Sequence, residues 1–216
     1  PQPHSVGSSA VHTLPDITGD LIAGKIGGTN FANSLLIGHA TTGTLSSAEN
    51  NVGVGIGALD EITSGDSNTA VGQGTLTKNT ASSGNTAVGR LALTLNTGAS
   101  NTAVGRRSLQ TNSSGDFNTA IGEYSGNLIS GNDANYNTVL GYRAGDNITS
   151  GAGNVVIGSV DAASATGDRQ LKIAGYDGST TTTWIDGSSS GVLTFNAANV
   201  TQQALTSSSN AVAWDA

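Results

Sequence analysis

The feature that most constrains this chain is a five-residue unit repeated at a near-constant step. Its cleanest copy is Asn68-Thr69-Ala70-Val71-Gly72. Asn51 to Gly55 precedes it, and Asn85 to Gly89, Asn101 to Gly105, Asn118 to Gly122, Asn137 to Gly141 and Asn154 to Gly158 follow. Ser34-Leu35-Leu36-Ile37-Gly38 is a degenerate first copy. The closing glycines are 38, 55, 72, 89, 105, 122, 141 and 158, so the steps are 17, 17, 17, 16, 17, 19 and 17 residues. Such a period belongs to stacked coils, each too thin to bury its own apolar side alone.

Five alternating residues rich in Thr and Val predict a short strand. Thr and Val share one face; Asn, Ala and Gly share the other. The Val position (Val54, Val71, Val88, Val104, Ile121, Leu140, Ile157) is never polar, which predicts that it forms the coil core. The Ala position (Gly53, Ala70, Ala87, Ala103, Ala120) is uniformly small, which predicts close approach of another backbone, until Val139 and Val156 break the pattern. The closing Gly fits a bend at positive φ. Leu59, Leu76, Leu93 and Leu109 follow four residues later and suggest a second short strand; Gly126 and Gly145 replace them in two later coils. Polar loops such as Thr63-Ser64-Gly65-Asp66 return the chain with turn-forming residues.

Each repeat therefore reads as strand, bend, strand, loop. Parallel pairing at ~4.8 Å per coil makes eight coils a rod of roughly 40 Å. Stacking places Asn51, Asn68, Asn85, Asn101, Asn118, Asn137 and Asn154 over one another as a structural ladder, able to bond from coil to coil. A coil with one Val-type residue, often one Leu and several Ala has little core of its own, so several chains, three around an axis, are expected to pack together.

The motif Asn-Thr-Ala-Val-Gly-x-x-x-Leu with Ser-Gly or Thr-Gly loops resembles the head repeats of trimeric autotransporter adhesins and similar repeats of phage tail fibres, over roughly residues 30–158. The adhesin heads usually have a shorter period, so the longer period, the Leu after Gly and the flanks look more like a phage fibre. The flanks in question are Asp16-Ile17 to Gly38 and Leu171-Lys172-Ile173-Ala174 through Trp184-Ile185-Asp186-Gly187. Ala204-Leu205-Thr206 through Ala213-Trp214-Asp215 is similar to linkers that precede further β domains. The resemblance implies a homotrimeric left-handed β-roll. The fold expected is all-β: a parallel β-roll, or solenoid, of about eight coils, followed by a small antiparallel β unit.

Four regions are expected. Residues 1–29, which hold all three prolines, form an extended connector, with an incomplete first coil at Asp20 to Gly24 or a strand added to a neighbour. Residues 30–158 are the roll, and its 19-residue step, with Ile129 to Tyr136, predicts a loop bulging on one face. Residues 159–198 form a small β cap with strands at Gln170 to Ala174, Thr181 to Asp186 and Gly191 to Phe195, and a core of Trp184 and Phe195. Residues 199–216 read as a linker to a further domain. A chain that starts at Pro1, contains no Met and stops at Ala216 is expected to be part of a longer protein.

The charge of −7, with only 8 Lys and Arg, supplies no basic patch for nucleic acid. There is no Cys, hence no disulfide framework or thiolate chemistry. No apolar run approaches the ~20 residues of a membrane span. His4, His12 and His39 lack partners at ligand spacing and read as turn or solvated residues. Gly24-Lys25-Ile26-Gly27 fails the phosphate-loop pattern, and no nucleophile elbow stands out. Asp66, Asp116 and Asp133 sit on coil loops, but the nonapeptide calcium repeat is absent. Asn112, Asn147 and Asn199 head formal glycosylation sequons.

After each closing Gly come Gln73, Arg90, Arg106, Glu123 and Tyr142. Arg90, Arg106 and Arg107 are thus the candidate surface-contact residues, suited to anionic surface sugars, with an Arg106–Glu123 pair as the simpler reading. No catalytic, cofactor-binding or metal site is expected. The function expected is structural: a rigid trimeric spacer in a phage tail fibre, presenting host-receptor binding from the virion tail. Its partners would be itself, other tail or fibre proteins, and a host-surface glycan or protein, with no nucleic acid and no membrane insertion. The alternatives are a bacterial cell-surface adhesin head and a protomer of an extracellular filament.

Overall fold

The computed structural model describes residues 24–26, 30–38 and 42–195. The predictions for most of the connector, for the three histidines and for residues 199–216 lie outside the described residues. Among the described residues twelve strands form one sheet in chain order: β1 (Gly24–Ile26), β2 (Leu35–Ile37), β3 (Val52–Val54), β4 (Thr69–Val71), β5 (Thr86–Val88), β6 (Thr102–Val104), β7 (Thr119–Ile121), β8 (Thr138–Leu140), β9 (Val155–Ile157), β10 (Leu171–Tyr176), β11 (Thr181–Gly187) and β12 (Leu193–Phe195). Strands β2 to β9 pair in parallel, like residue over like: Thr86 beside Thr102, Ala87 beside Ala103, Val88 beside Val104. The chain is an eight-turn parallel β-solenoid with coils of about 17 residues, and no helix occurs among the described residues.

The two faces of the strands are reversed from the sequence expectation. In every strand from β2 to β9 the middle residue is buried and its neighbours are not. The coil interior is therefore lined by Leu36, Gly53, Ala70, Ala87, Ala103, Ala120, Val139 and Val156. The column Val54, Val71, Val88, Val104, Ile121, Leu140, Ile157 lies on the outer face, where Val71 is 37% and Ile121 44% exposed. The cause is the asparagine, which shares its face with Ala. Its side chain turns inward to bond the coil, so the Ala side must also turn inward. The small residues there face leucines of their own chain, not another chain's backbone.

Those leucines do not form a second strand. Leu59, Leu76, Leu93 and Leu109 sit in turns at φ 57, 50, 50 and 49°, a region that costs a non-glycine residue roughly 1–2 kcal/mol. The turn folds each side chain back into the coil, where all four are fully buried, a gain of ~1.5–3 kcal/mol each. Their amides still bond the following coil, as Leu93 N–H to Ser108 C=O at 3.1 Å.

The ladder runs from end to end. Each asparagine Oδ1 accepts the backbone N–H of the next: Asn85 N to Asn68 at 3.0 Å, Asn118 N to Asn101 at 2.9 Å, Asn154 N to Asn137 at 3.0 Å. In six of the coils the Nδ2 donates to the loop that closes the same coil, as Asn85 does to Gly98 C=O at 3.0 Å. Ser34 Oγ begins the ladder by accepting Asn51 N–H at 2.8 Å, and Gln170 ends it with its N–H on Asn154 Oδ1 at 2.9 Å. The closing glycines also stack: Gly89 sits at φ 123°, and a Cβ there would lie 2.7 Å from the carbonyl carbon of Gly105.

The two ends of the sheet differ from the roll, and the three strands expected after it are present at Leu171–Tyr176, Thr181–Gly187 and Leu193–Phe195. β1 is antiparallel to β2, unlike the strands of the roll, and the partial coil expected from Asp20 lies, up to residue 23, outside the described residues. β10 begins as a ninth turn, with Leu171 parallel to Val155, then pairs antiparallel with β11, which pairs with β12. Trp184 and Phe195 do not form a core: they are 54% and 59% exposed. The three strands pair edge to edge, and the Trp184 ring packs against Gly175, where a Cβ would lie 2.5 Å from it.

Candidate functional site

Where the sheet ends, the closing glycines from Gly55 to Gly141 turn the chain, and the two residues after each lie along one edge. The second of these is held in the left-handed region at Leu91, Arg107, Tyr124 and Arg143 (φ 61, 59, 59 and 55°). Coil-to-coil bonds fix it there: Arg107 N–H to Arg90 C=O at 3.0 Å, Tyr124 N–H to Arg106 C=O at 3.0 Å, Arg143 N–H to Glu123 C=O at 2.9 Å. Arg107, Tyr124 and Arg143 therefore stand one above another.

The three predicted arginines do meet on this edge. Arg90 Nε donates to Gln73 Oε1 at 3.1 Å. Arg106 pairs with Glu123 and donates from Nη1 to the Tyr124 hydroxyl at 3.1 Å. The Glu123 hydrogen bond first, and then Tyr124, holds the Arg106 guanidinium above its ordinary pKa. Two residues missed by the sequence reading complete the group. The Tyr124 ring has the guanidinium carbons of Arg106, Arg107 and Arg143 at 4.8, 5.6 and 5.9 Å from its centroid, within cation–π range. Arg143 is bonded to Asp146, which raises its pKa. Reading the second position after Gly with the same period would have found both.

The loop acids have structural work. Asp66 Oδ1 accepts Glu49 N–H at 2.8 Å, and Asp116 Oδ1 accepts Ala99 N–H at 2.6 Å, each bonding the coil before it. No group of three or more His, Asp or Glu placed to hold a metal occurs among the described residues. Phe117 and Tyr136, which hold the same position in successive coils, stack at 5.1 Å with rings 5° from parallel, both exposed. A cleft of about 490 Å³ opens beside the cap, lined in part by Asp168, Gln170, Asp186 and Ser188. Asp168 takes Ala152 N–H at 2.8 Å and Asp186 faces Lys172 at 3.5 Å, so both carboxylates are engaged. No helix among the described residues is long and apolar enough to cross a membrane. No family model, curated protein or solved structure matches the chain.

Proposed function

We propose that this chain is a structural, non-enzymatic segment of a homotrimeric phage tail fibre, a stiff spacer that carries host-surface recognition on the virion. The observation that carries the reading is the apolar column on the outer sheet face, which eight paired strands hold in register and which none of the described residues fully covers. The cap adds to it: Tyr176, Trp184, Val192, Leu193 and Phe195 are all exposed large apolar residues on one thin layer. Contiguous exposed apolar surface on a β rod marks an association surface. Three copies around the rod axis close upon themselves, cover one sheet face each and leave no open end to polymerise. Tail-fibre placement rests on the resemblance of the repeats and flanks, and threefold display gives avidity at a host surface.

The test is the native mass of residues 1–216 by light scattering on a sizing column. About three times the 21.3 kDa chain mass supports the trimer. A single-chain mass overturns it, a doubled mass points to two sheets packed face to face, and open-ended species favour the filament.

A further inference from the structure

The chain carries −7 overall, yet four of its eight Lys and Arg residues gather on the edge beside Tyr124, over four successive coils. Two of those charges are matched: Arg106 by Glu123 and Arg143 by Asp146. Two are not. Arg90 meets only the neutral Gln73 amide, and Arg107 has no carboxylate partner among the described residues. Arg107 is held by the Tyr124 ring, and its Nε is sealed from water without an acceptor. A guanidinium held by a ring keeps its charge and its terminal N–H donors free while its conformation is restrained. That is preorganisation for an incoming anion.

We propose that this edge binds an acidic saccharide, with its carboxylate or phosphate taken by Arg107 and Arg90 and Tyr124 acting as the positioning residue. The inference deepens the reading of the chain as a host-recognising fibre and rests on it for the source of the sugar. A discrete anion fits better than a long nucleic acid, because the net charge of the remaining surface repels an extended polyanion.

The experiment titrates residues 1–216 with an oligogalacturonate, with a hexose phosphate and with a neutral glucose oligosaccharide, by calorimetry at low and at physiological salt. Binding of either acidic ligand, weakened by salt, with none of the neutral one, is expected; the two acidic arms separate carboxylate from phosphate. Arg107→Gln and Arg90→Gln should each weaken it about tenfold, the scale of one charge-assisted hydrogen bond. Tyr124→Leu should weaken it through loss of the ring, Tyr124→Phe less, and Arg169→Gln, on another column, should leave it unchanged. Thermal melts and native mass of each variant show that the fold is intact. Absence of acidic-ligand binding overturns the proposal, as does equal affinity for the neutral sugar or indifference to both arginine variants. A trimer that binds no acid sinks only this site, whereas a monomer that binds acid sinks only the trimer.

Discussion

Gly126 and Val139 share one space in the coil interior: a Cβ on Gly126 would lie 3.2 Å from Val139 Cγ2 and 2.9 Å from Ile129 Cδ1. Val139 reaches the other way too, 2.8 Å from a Cβ on Gly145. The folded-back leucine is lost at 126 and 145, and the one strand residue Val139 reaches into both spaces, while the loops supply Ile129 and Ile148. At the first coil the trade runs in reverse, Leu36 filling the space above Gly53. Volume is conserved across three columns, as a close-packed interior requires.

Val139→Ala therefore opens a cavity with no leucine to fill it, and a loss of about 2 kcal/mol is expected from two methyl groups plus the void. Gly126→Leu alone overpacks against Val139 and Ile129. Combined with Val139→Ala and Ile129→Asn it rebuilds the pattern of the earlier coils, and stability should recover beyond the sum of the single effects. Urea melts of the singles and the triple measure this; strict additivity would refute the shared volume.

The ladder predicts a larger single effect. Asn118→Ala removes the acceptor of Asn137 N–H and the donor to Ala134 C=O, both inside the coil. Each orphaned buried group costs ~1–3 kcal/mol, so a loss of about 2–5 kcal/mol is expected. Hydrogen exchange should speed first at the amides of the two coils that flank residue 118. A change under about 0.5 kcal/mol, the scale of a neutral surface substitution, would contradict the ladder's role.

Gly89→Ala tests the glycine column. The added methyl meets the Gly105 carbonyl, and φ 123° is a region essentially reserved for Gly. Coils on either side must separate, and a loss of at least about 3 kcal/mol is expected in thermal or denaturant melts. By contrast, Leu93→Gly removes strain at φ 50° but loses a buried side chain, so it should destabilise mainly by the cavity.

The period, the parallel stacking, the Asn ladder and the positive-φ glycines were legible because each recurs at one position of every coil. The direction of the faces was not. Alternation shows that Val71 and Ala70 point oppositely, but inwardness was assigned by apolarity alone, and an outer apolar column is invisible to that rule when the chain is read singly. The turn conformation of Leu93 was hidden because left-handed leucine contradicts its backbone preference; burial of the side chain and the coil-to-coil amide bonds together make it tolerable. A second polar column, Asn79, Asn96 and Asn112, is buried beside those leucines, with Asn112 Nδ2 on Asn96 Oδ1 at 2.8 Å. Its period was on the page, but it is interrupted by Ile62 and Ile129 and so reads as loop. Tyr124 and Arg143 escaped for the same reason: Gly57, Gly74 and Leu91 begin their column without chemistry.

The cap gives a pH prediction. Asp177 Oδ1 accepts the amides of Thr180 at 2.8 Å and Ser179 at 2.9 Å, closing the β10–β11 turn, and these bonds hold its pKa below the ordinary 3.8. A depressed folded value means the contribution is present above the unfolded pKa and lost as pH falls through the folded one. The Ser179 and Thr180 amide resonances should stay constant at neutral pH and shift only below the ordinary 3.8. Asp177→Asn keeps the acceptor oxygen, so the turn should persist and the pH response disappear; an unchanged response in that variant would place the titration elsewhere.

The orientation of the outer column is decided by one substitution. Val88 lies between Val71 and Val104 on the face that turns away from the coil interior. A lysine at an inward position would bury an unpaired charge and unfold the coil. On the outer face Val88→Lys leaves the interior of Ala87 and Leu93 untouched, so the circular-dichroism spectrum and the Asn-ladder amides should match the parent. Its effect should fall on association: in a closed assembly three lysines would meet where apolar side chains met, and mass on the sizing column should drop to one chain. Unfolding of the variant would return the column to the coil core. A folded variant with unchanged oligomeric mass would move the contact between chains away from this face and onto the exposed cap.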